Sequence, residues 1–453
     1  MTDILKPDKM PQVEEAVRWA LTHGKALEVL GAGSKRAIGR PAQTDLTLDL
    51  SGLTGVLLYE PDELVLSARA GTPLAEIEAM VAASGQELAF EPMSFGALLG
   101  APSGGPTIGG VIAANVSGPR RFKAGAARDH LLGFTAVSGR GEVFKSGGRV
   151  VKNVTGYDLC KLMAGSWGTL AVLLDITIKI LPRPEMELTV LLFGLDDGAA
   201  VRAMTAALAS NCDVSGAAHL PAIVAARVPS IATAASNRAV TALRLEGVAP
   251  GVAHRRAMLE RAVAATTVAA TDVAATDVAA CGEGGAIEGS ASRELWRAIR
   301  DVEPFAAAHT GADRPLWRVS IAPSKSAALA LAVSGGVSGS GDAQVLYDWG
   351  GALLWILPPP SRDGGAALVR SALAAAGGTF PASGSFAAAS GTSAATGFIA
   401  GGHATLIRAP AALRAAVDVF QPQEPVLAAL TKRVKESFDP KGVLNPARMW
   451  AGV

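Results

Sequence analysis

The chain has 453 residues, of which 49% are hydrophobic and 18% are charged, so it can form two or three domains with sizeable cores. Its 41 Lys and Arg residues nearly balance 40 Asp and Glu residues, and the net charge of +1 argues against nucleic acid as the main partner. The mean hydropathy of +0.32 comes from dispersed Ala and Val, and no apolar run approaches the roughly 20 residues of a membrane-spanning helix.

The N-terminus and the cysteines indicate the cellular compartment. Residues 1–10 contain charged side chains and lack the apolar stretch of a secretory signal. Cys160, Cys212 and Cys281 lie far apart and form no CxxC pair, so we expect buried free thiols and neither a metal site nor an iron–sulfur cluster. We therefore predict a cytoplasmic protein.

Helices and short strands alternate in the N-terminal region. Apolar residues at helical spacing predict a helix from Pro11 that ends at Gly24. Short strands are predicted at Ala26–Leu30, Thr47–Leu50 and Val56–Tyr59. A second helix is predicted from Thr72–Pro73 to Gly85, with Thr72 as its N-cap. The region is therefore mixed α and β.

Glycine dominates from residue 102 to 168, and a long strand follows at Leu170–Leu181. The prolines at 182 and 184 mark the first domain boundary. Beyond it, Ala-rich helical stretches alternate with five predicted strands, namely Glu187–Leu195, Ala242–Glu246, Leu316–Ala322, Gln344–Trp349 and Ala352–Leu357. Thr266–Ala280 contains a short tandem repeat, which predicts an inserted loop without catalytic residues. Val426–Ser437 is a predicted helix before a tail rich in Pro and Gly.

A first glycine-rich turn, Gly31–Arg36, directly follows a predicted strand. It does not fit a dinucleotide-binding Rossmann fingerprint, because Arg36 stands where a third glycine or alanine is needed and Gly39 and Pro41 interrupt any following helix. It also lacks the Gly-Lys-Ser/Thr ending of a Walker loop. Two interpretations remain open, an ordinary turn or an anion-binding concavity formed by backbone N–H groups.

Two further stretches combine small residues with hydroxyl, amide and basic side chains, at 104–128 and at 148–169. Together with Gly31–Arg36 they suit an extended ligand that carries both a diphosphate and a flat ring, because glycine lets the backbone approach a ligand closely. The sequence therefore predicts one long nucleotide-like ligand bound by three loops.

At these residues the sequence resembles the flavoproteins with the FAD-binding domain of the vanillyl-alcohol oxidase and para-cresol methylhydroxylase (PCMH) type. Within this family it is similar to the FAD-binding subunits of glycolate-oxidising complexes. The resemblance rests on residues 31–39, Thr107–Arg121, Arg128-Asp129, Gly147–Asp158, Lys161–Thr169, Phe438-Asp-Pro440 and Asn445-Pro446. It is strong over residues 1–185 and weak over most of the second half of the chain.

The resemblance implies an α+β fold in three parts. A two-subdomain PCMH-type FAD-binding domain covers residues 1–184, and an α+β cap domain with an antiparallel sheet and an Ala-rich insert covers 185–425. Residues 426–453 form a C-terminal helix and a tail that returns to the flavin domain.

The resemblance also implies which residues bind FAD. The diphosphate would lie on a first loop, composed of Gly31, Ala32, Gly33, Ser34 and Lys35. The ribityl chain and ring edge would lie on a second, composed of Thr107, Gly109, Gly110, Ala113, Asn115 and Gly118. A third stretch would close over the flavin, composed of Lys152, Asn153, Thr155, Gly156, Tyr157 and Asp158. The phosphates would also contact Gly165, Ser166, Gly168 and Thr169, and the backbone near Ile176 would contact the adenine.

The sequence departs from the family in two respects. Pro102–Gly118 contains no histidine for covalent attachment, so we expect non-covalent FAD. The His-x-x-Gly-Asp-Gly-Asn motif that supplies a metal site and a base in related 2-hydroxy acid dehydrogenases is absent, and His403 has no acidic neighbour. We therefore predict no metal site and assign no catalytic residue.

These departures favour an FAD-linked oxidoreductase that works on a small 2-hydroxy acid as one subunit of a glycolate-oxidising complex. The resemblance implies a homologous FAD subunit and an iron–sulfur subunit as partners, with the complex cytoplasmic or peripheral at the inner membrane. Two alternatives remain open: a self-sufficient FAD-linked 2-hydroxy acid dehydrogenase, and an assembly module with the same fold that binds no flavin.

The basic residues Arg120, Arg121 and Lys123 also have two open interpretations. They form either a solvated basic stretch or a group near the flavin ring that contacts a carboxylate or a partner. Asp158 is expected to cap or orient a loop, and Tyr157 to pack and form hydrogen bonds.

Overall fold

The structure is a computed structural model that describes residues 3–41, 43–100, 105–148, 156–268, 285–335, 343–377 and 402–453. Its strands form one small parallel sheet, a five-stranded and an eight-stranded antiparallel sheet, and a two-stranded pair. The α+β class and the antiparallel sheet of the cap are thereby confirmed. Among these residues, no helix is both long and apolar enough to cross a membrane.

The helices, numbered in chain order, are α1 Met10–His23, α2 Leu74–Ala83, α3 Gly96–Leu99, α4 Ile108–Ala114, α5 Arg121–Ala124, α6 Ala127–His130, α7 Leu159–Met163, α8 Asp197–Ala209, α9 Ala222–Ala225, α10 Pro229–Ala235, α11 Ala249–Val268, α12 Gly289–Arg300, α13 Ala307–Thr310, α14 Pro323–Val333, α15 Ala366–Gly377, α16 Ala411–Ala416 and α17 Pro425–Phe438. Short 3₁₀ turns lie at Leu50–Gly52, Glu303–Phe305 and Trp349–Gly351.

The strands are β1 Asp3–Leu5, β2 Leu27–Leu30, β3 Leu46–Asp49, β4 Val56–Glu60, β5 Val65–Arg69, β6 Gln86–Glu87, β7 Leu131–Ser138, β8 Val143–Gly147, β9 Ala171–Lys179, β10 Leu181–Pro182, β11 Met186–Phe193, β12 Gly216–Leu220, β13 Val240–Gly247, β14 Ala286–Glu288, β15 Leu316–Ser320, β16 Gln344–Asp348, β17 Leu353–Leu357 and β18 His403–Arg408.

The first subdomain is a parallel sheet with the order β1-β3-β2, against which α1 buries Val13, Val17 and Ala20. Gly24 ends α1 in the left-handed conformation, at φ 63°, which glycine adopts without the steric cost of a side chain. Leu444 of the C-terminal tail pairs in parallel with Leu27 of β2. The last residues of the chain therefore pack on the strand that leads into the first glycine-rich turn.

The second subdomain is an antiparallel sheet with the order β4-β5-β9-β7-β8, covered by α2 and α4. Helix α2 begins one residue later than expected, and the predicted N-cap at Thr72 is wrong. The Thr72 hydroxyl instead donates to the Arg69 carbonyl at 2.7 Å and accepts the Gly55 N–H at 3.0 Å. Because the Thr72 hydroxyl is hydrogen-bonded to these backbone groups, it does not cap α2, and Pro73 is the N-cap residue without a side-chain hydrogen bond.

The cap sheet has the order β14-β11-β13-β12-β16-β17-β15-β18. The five predicted strands are present as β11, β13, β15, β16 and β17. Sequence reasoning missed β12, β14 and β18, because β12 is wholly buried without polar alternation, β14 has three residues, and β18 follows a Gly/Ser/Ala-rich segment. Missing β18 matters because this edge strand contributes to the site described below.

Alternation along the cap strands gives the sheet two different faces. Trp317, Leu354 and Leu406 point to the face that packs against the cap helices. Arg318 pairs in register with Trp355 and Thr405, so these three side chains share the opposite face. This second face is directed toward the N-terminal domain and forms one wall of the candidate site.

Candidate functional site

Three stretches that are distant in sequence meet between the two subdomains of the N-terminal domain. The Trp167 N–H donates to the Ala113 carbonyl at 2.8 Å, and the Gly165 N–H donates to the Ile112 carbonyl at 3.1 Å. A Cβ atom added to Gly31 would lie 2.3 Å from Thr107 Oγ1. The loop after β2, the start of α4 and the segment 165–169 are therefore in direct contact.

A cleft opens where these stretches meet. Ten of the predicted FAD-binding residues line it, and they are Gly31, Ala32, Gly33, Ser34, Lys35, Thr107, Gly109, Gly110, Ala113 and Gly168. Most carry a small side chain or none, so a ligand can approach the backbone closely. Glycine is required at position 109, where an added Cβ would lie 2.7 Å from the Ala70 carbonyl oxygen.

Two other predicted residues, Asn115 and Gly118, line a second cavity of about 670 Å³. This cavity shares Ala114 and Trp167 with the first one. The two spaces thus adjoin each other, and together they extend from the Gly31–Lys35 turn to the cap sheet. An extended ligand with its diphosphate in the first cavity would reach the second with its other end.

The segment 165–169 lies beside the cleft. Thr169 is buried, and its hydroxyl donates to the Ser166 carbonyl at 2.7 Å. Gly165 contacts the Asn115 side chain, with 3.4 Å between an added Cβ and the Asn115 Cβ. These residues shape the loop, whereas Gly168 and Trp167 form the cleft surface.

The other assignments stay predictions. Lys152, Asn153 and Thr155 lie outside the described residues. Gly156 and Tyr157 are exposed, and Asp158 caps α7 by accepting the Lys161 N–H at 3.2 Å. Ile176 is wholly buried in the core of the second subdomain, and Ala171 and Leu173 are the β9 residues that line the cleft.

Three basic side chains, Lys35, Arg36 and Arg448, line the first cavity, and of these Arg36 is paired with Glu28 at 2.6 Å. Lys35 is buried, and burial together with the nearby Arg448 lowers the pKa of its ammonium to about 8. Arg448 donates to the carbonyls of Lys35 and Ile38, and burial lowers the pKa of its guanidinium to about 10. Arg448 Nε has no hydrogen-bond partner among the described residues. The residues present therefore fit a diphosphate, whose negative charge would stabilise both cations.

The C-terminal tail fixes the floor of the cleft through Asn445. Its side chain accepts the Val29 N–H at 2.8 Å and donates to the carbonyls of Trp167 at 2.9 Å and of Val29 at 3.3 Å. Asn445 is wholly buried. It therefore joins β2 to the segment 165–169, and this role accounts for the Asn445-Pro446 motif of the tail.

Some of the strained backbone positions of the described residues lie at or near the two cavities. Asn115, Trp167, Trp349 and Asn445 all adopt the left-handed conformation, with φ between 41° and 55°. Such residues cost roughly 1–3 kcal/mol each and persist where surrounding contacts hold them. Here the contacts include the hydrogen bond from Trp349 Nε1 to the Gly118 carbonyl at 2.9 Å, which joins the cap to the second glycine-rich loop.

The basic stretch after Gly118 is only partly solvated, because Arg120 is buried and Arg121 is half-buried whereas Lys123 is exposed. Arg120 is buried and pairs with Glu87 and with Glu246, the latter at 2.6 Å. The Arg121 guanidinium lies over the Trp349 ring, 4.7 Å from its centre, and Lys123 pairs with Asp213 of the cap. All three residues thus join the FAD-binding domain to the cap.

A buried ion-pair network, defined here as Arg120, Arg244, Glu87, Glu91 and Glu246, forms the centre of this junction. Arg244 Nη1 lies 2.7 Å from Glu91 Oε1. Burial raises the pKa of Glu91, but Arg244 and Arg120 outweigh it and hold this pKa at about 2. Glu91 therefore stays ionised at neutral pH, and the network joins the cap to the segment that precedes the second glycine-rich loop.

The second cavity contains charged side chains that sequence reasoning did not identify. Arg318 of β15 lies over the rings of Trp349 and Trp355, at 5.0 and 5.9 Å. Asp348, at the end of β16, is buried, and burial raises the pKa of its carboxyl to about 7. No sequence motif marks either residue; only strand register places them at one cavity.

Histidine takes no part in the lining of either cavity, as far as the described residues show. The buried His130 lies 2.9 Å from the Ala124 carbonyl through Nε2 and packs on Phe90. His403 is the exposed first residue of β18. Within the described part of the chain, no group of three or more His, Cys, Asp or Glu side chains could hold a metal ion.

Comparisons with known proteins agree with this geometry. A family described as FAD binding domain matches residues 3–147. The chain is 29% identical over 443 residues to glycolate oxidase subunit GlcE of Escherichia coli strain K12, covering 96% of each chain. It is 31% identical over 192 residues to the D-2-hydroxyglutarate dehydrogenase of Xanthomonas citri pv. viticola, covering 42% of this chain and 39% of that one.

Solved structures with the same fold include p-cresol methylhydroxylase with substrate bound, at a TM-score of 0.63 and 13% identity. The match covers 98% of this chain and 88% of that chain. Alkyldihydroxyacetonephosphate synthase matches with a TM-score of 0.62 and 15% identity, over 98% of this chain and 75% of that one. The chain therefore has the fold of these flavoproteins, matches an FAD-binding domain over residues 3–147, and is similar along most of its length to a glycolate oxidase subunit.

Proposed function

We propose that this protein is the FAD-binding subunit of a complex that oxidises glycolate or a similar 2-hydroxy acid, and that it holds FAD without a covalent bond. The near full-length similarity to a glycolate oxidase subunit supports the substrate class. When bound, FAD supplies a two-electron acceptor for oxidation of a CH–OH group.

The two adjoining cavities are the observation that carries the proposal. Gly31–Lys35 would hold the diphosphate through backbone N–H groups, with the Lys35 ammonium providing counter-charge. Gly109, Gly110 and Ala113 would leave space for the ribityl chain. Asn115 and Gly118 would lie at the ring, near the side chains of the cap sheet. The absence of a histidine from the described lining supports non-covalent binding.

The proposed assembly contains a homologous FAD subunit and an iron–sulfur subunit. Supporting it is the similarity of the chain to glycolate oxidase subunit GlcD of Bacillus subtilis strain 168, which is 26% identical over 189 residues and is matched over 38% of its length. Electrons taken from the hydroxy acid would leave through the iron–sulfur subunit, and the complex would contact the inner membrane peripherally.

The test begins with the absorbance spectrum of the purified chain. We expect a flavin spectrum, and release of all the flavin by acid denaturation, which a covalent link would prevent. The chain is then combined with the homologous FAD and iron–sulfur subunits, and glycolate-dependent reduction of an artificial dye is measured. Failure to take up FAD, or equal dye reduction with the chain omitted, would contradict the proposal.

A second candidate function is a self-sufficient 2-hydroxy acid dehydrogenase. The cation and carboxyl group in the second cavity favour it, because they belong to this chain and lie beside the ring site. Anaerobic mixing of the FAD-loaded chain with glycolate or D-lactate separates the candidates. Prompt bleaching of the flavin supports a self-sufficient enzyme, and an unchanged spectrum supports dependence on partner subunits.

A further inference from the structure

We propose that the second cavity is a carboxylate-binding site of this chain, in which Arg318 binds the carboxylate of a small 2-hydroxy acid and Asp348 accepts a hydrogen bond from the adjacent hydroxyl group. The inference rests on the proposed function and adds to it the residues that recognise the substrate. It concerns the cap domain, where the sequence resembles the flavoprotein family only weakly.

Arg318 has the geometry of an anion-binding residue. Its guanidinium is held between the two tryptophans and lines the cavity, but it forms no ion pair with any described carboxylate. Burial, with a smaller contribution from Arg121, lowers its pKa to about 10, so it remains charged at neutral pH. A desolvated cation without a partner is costly, and the planar guanidinium forms paired hydrogen bonds with a carboxylate.

Asp348 supplies an acceptor on the same wall. It pairs in register with Leu353, which lies on the same strand face as Trp355, the partner of Arg318. One carboxyl oxygen accepts the Trp349 N–H at 2.7 Å. Among the hydrogen bonds of the described residues, the Trp349 N–H is the donor to this carboxyl group, and Asp348 lines the cavity. In a 2-hydroxy acid the hydroxyl group is on the carbon next to the carboxylate. A cation and a hydrogen-bond acceptor on one wall therefore match these two groups, Arg318 the carboxylate and Asp348 the hydroxyl.

The rest of the lining suits a small ligand. Met93, Phe95, Leu353, Ile407 and Phe420 surround the charged pair with apolar side chains. These walls exclude water and strengthen the attraction between Arg318 and an anion. The flavin ring would lie at Asn115 and Gly118, on the N-terminal side of this cavity, so a carboxylate at Arg318 would lie beside the ring on the cap side of the same cavity.

Oxalate is a suitable probe, because it carries carboxylates at the spacing of a 2-hydroxy acid and cannot be oxidised at a CH–OH group. Its binding to the FAD-loaded chain is measured by calorimetry and by the change in the flavin absorbance. We expect Arg318→Met to weaken binding by about 10- to 100-fold, the usual effect of losing hydrogen bonds to a charged group. Arg318→Lys keeps the positive charge but lacks the paired hydrogen-bond donors, so its affinity for oxalate should lie between those of the unmodified chain and Arg318→Met.

Arg362→Met is the matched control, since Arg362 is an exposed arginine in the turn before α15. It should bind oxalate like the unmodified chain, and an unchanged flavin spectrum shows that each variant retains its fold. The inference is wrong if both Arg318 variants bind oxalate like the unmodified chain, or if Arg362→Met loses as much affinity as Arg318→Met.

The pH dependence of oxalate binding tests Asp348. Glu91, Arg244 and Arg318 influence this carboxyl group from the surrounding elements. Arg121 acts on Arg318, and Arg300 lines the same cavity but is paired with Asp301. As pH rises through about 7, ionisation of Asp348 adds a negative charge beside the anion, so the affinity should fall. Asp348→Asn should remove this pH dependence. If oxalate affinity depends on pH as strongly in Asp348→Asn as in the unmodified chain, the assignment of Asp348 is wrong.

These measurements separate the inference from the proposed function. If oxalate binding depends on Arg318 but the assembled complex oxidises no 2-hydroxy acid, the site is supported and the proposed function fails. If the complex oxidises glycolate while Arg318→Met binds oxalate with undiminished affinity, the proposed function is supported and the site is wrong.

Discussion

Replacing Gly31 by alanine tests whether the first two glycine-rich stretches must touch for FAD to bind. The new Cβ would lie 2.3 Å from Thr107 Oγ1 and 3.1 Å from Thr107 Cγ2. Thr107 is buried, and its hydroxyl accepts the Gly110 N–H at 3.3 Å, so rotation of its side chain would break the cap of α4. The two stretches must therefore separate by about 1 Å to restore ordinary contact distances.

Overpacking of this kind costs about 1–3 kcal/mol. Without FAD the Gly31 turn can move away from Thr107 and avoid the overlap. Bound FAD requires both stretches at contact distance, so this free-energy cost lowers the affinity for FAD. We expect Gly31→Ala to weaken FAD binding by about 5- to 150-fold, measured by titrating the apoprotein and following the quenching of flavin fluorescence.

Gly251→Ala, on α11 in the cap, is the matched control, because its added Cβ would lie 3.5 Å from Val248. Thr107→Ala removes the two closest atoms, so the double variant should lose less affinity than the sum of the single variants. Wild-type affinity in Gly31→Ala, or strictly additive losses in the double variant, would refute the reasoning.

Three further predictions follow from the site. FAD affinity should fall as pH rises above about 8, because neutral Lys35 no longer attracts the diphosphate. In Lys35→Met, fluorescence titration should show an FAD affinity that no longer depends on pH in this range and that is about tenfold lower than that of the unmodified chain at neutral pH. Glu91→Gln leaves Arg244 buried without its partner and should reduce the free energy of unfolding by about 3–5 kcal/mol in urea denaturation at pH 7. The Glu91 contribution exists above the carboxyl's unfolded pKa and is lost as pH falls toward 2, so unmodified and variant chains should converge in acid. Asn445→Ala leaves the Val29 N–H and the Trp167 carbonyl without hydrogen-bond partners, so it should lower the free energy of unfolding by about 2–5 kcal/mol and also lower FAD occupancy. An unchanged midpoint of urea denaturation would contradict the role of Asn445.

The sequence by itself determined the local features of this protein. Gly31–Gly33 and Gly109–Gly110 have no side chains that block a ligand, and this property is visible in the residues themselves. Strands are likewise predicted by the alternation of apolar and polar residues in Leu316–Ala322 and Gln344–Trp349, because successive side chains of a strand point to opposite faces. The glycine-rich ligand site and the predicted strands of the cap follow from these grounds, whereas FAD and the domain architecture were implied by the resemblance to the flavoproteins.

Only the tertiary structure decided which residues face each other across the site. Arg318 and Asp348 lie on different strands with no motif around them, and the pairing of β15 with β17 and of β17 with β16 places both on one wall. Similarly, Arg120 appeared as one charge in a basic stretch, and its carboxylate partners come from distant segments. Such contacts depend on sheet order and register, which a pattern along the chain does not contain because each pairing is fixed by the packing of the whole fold.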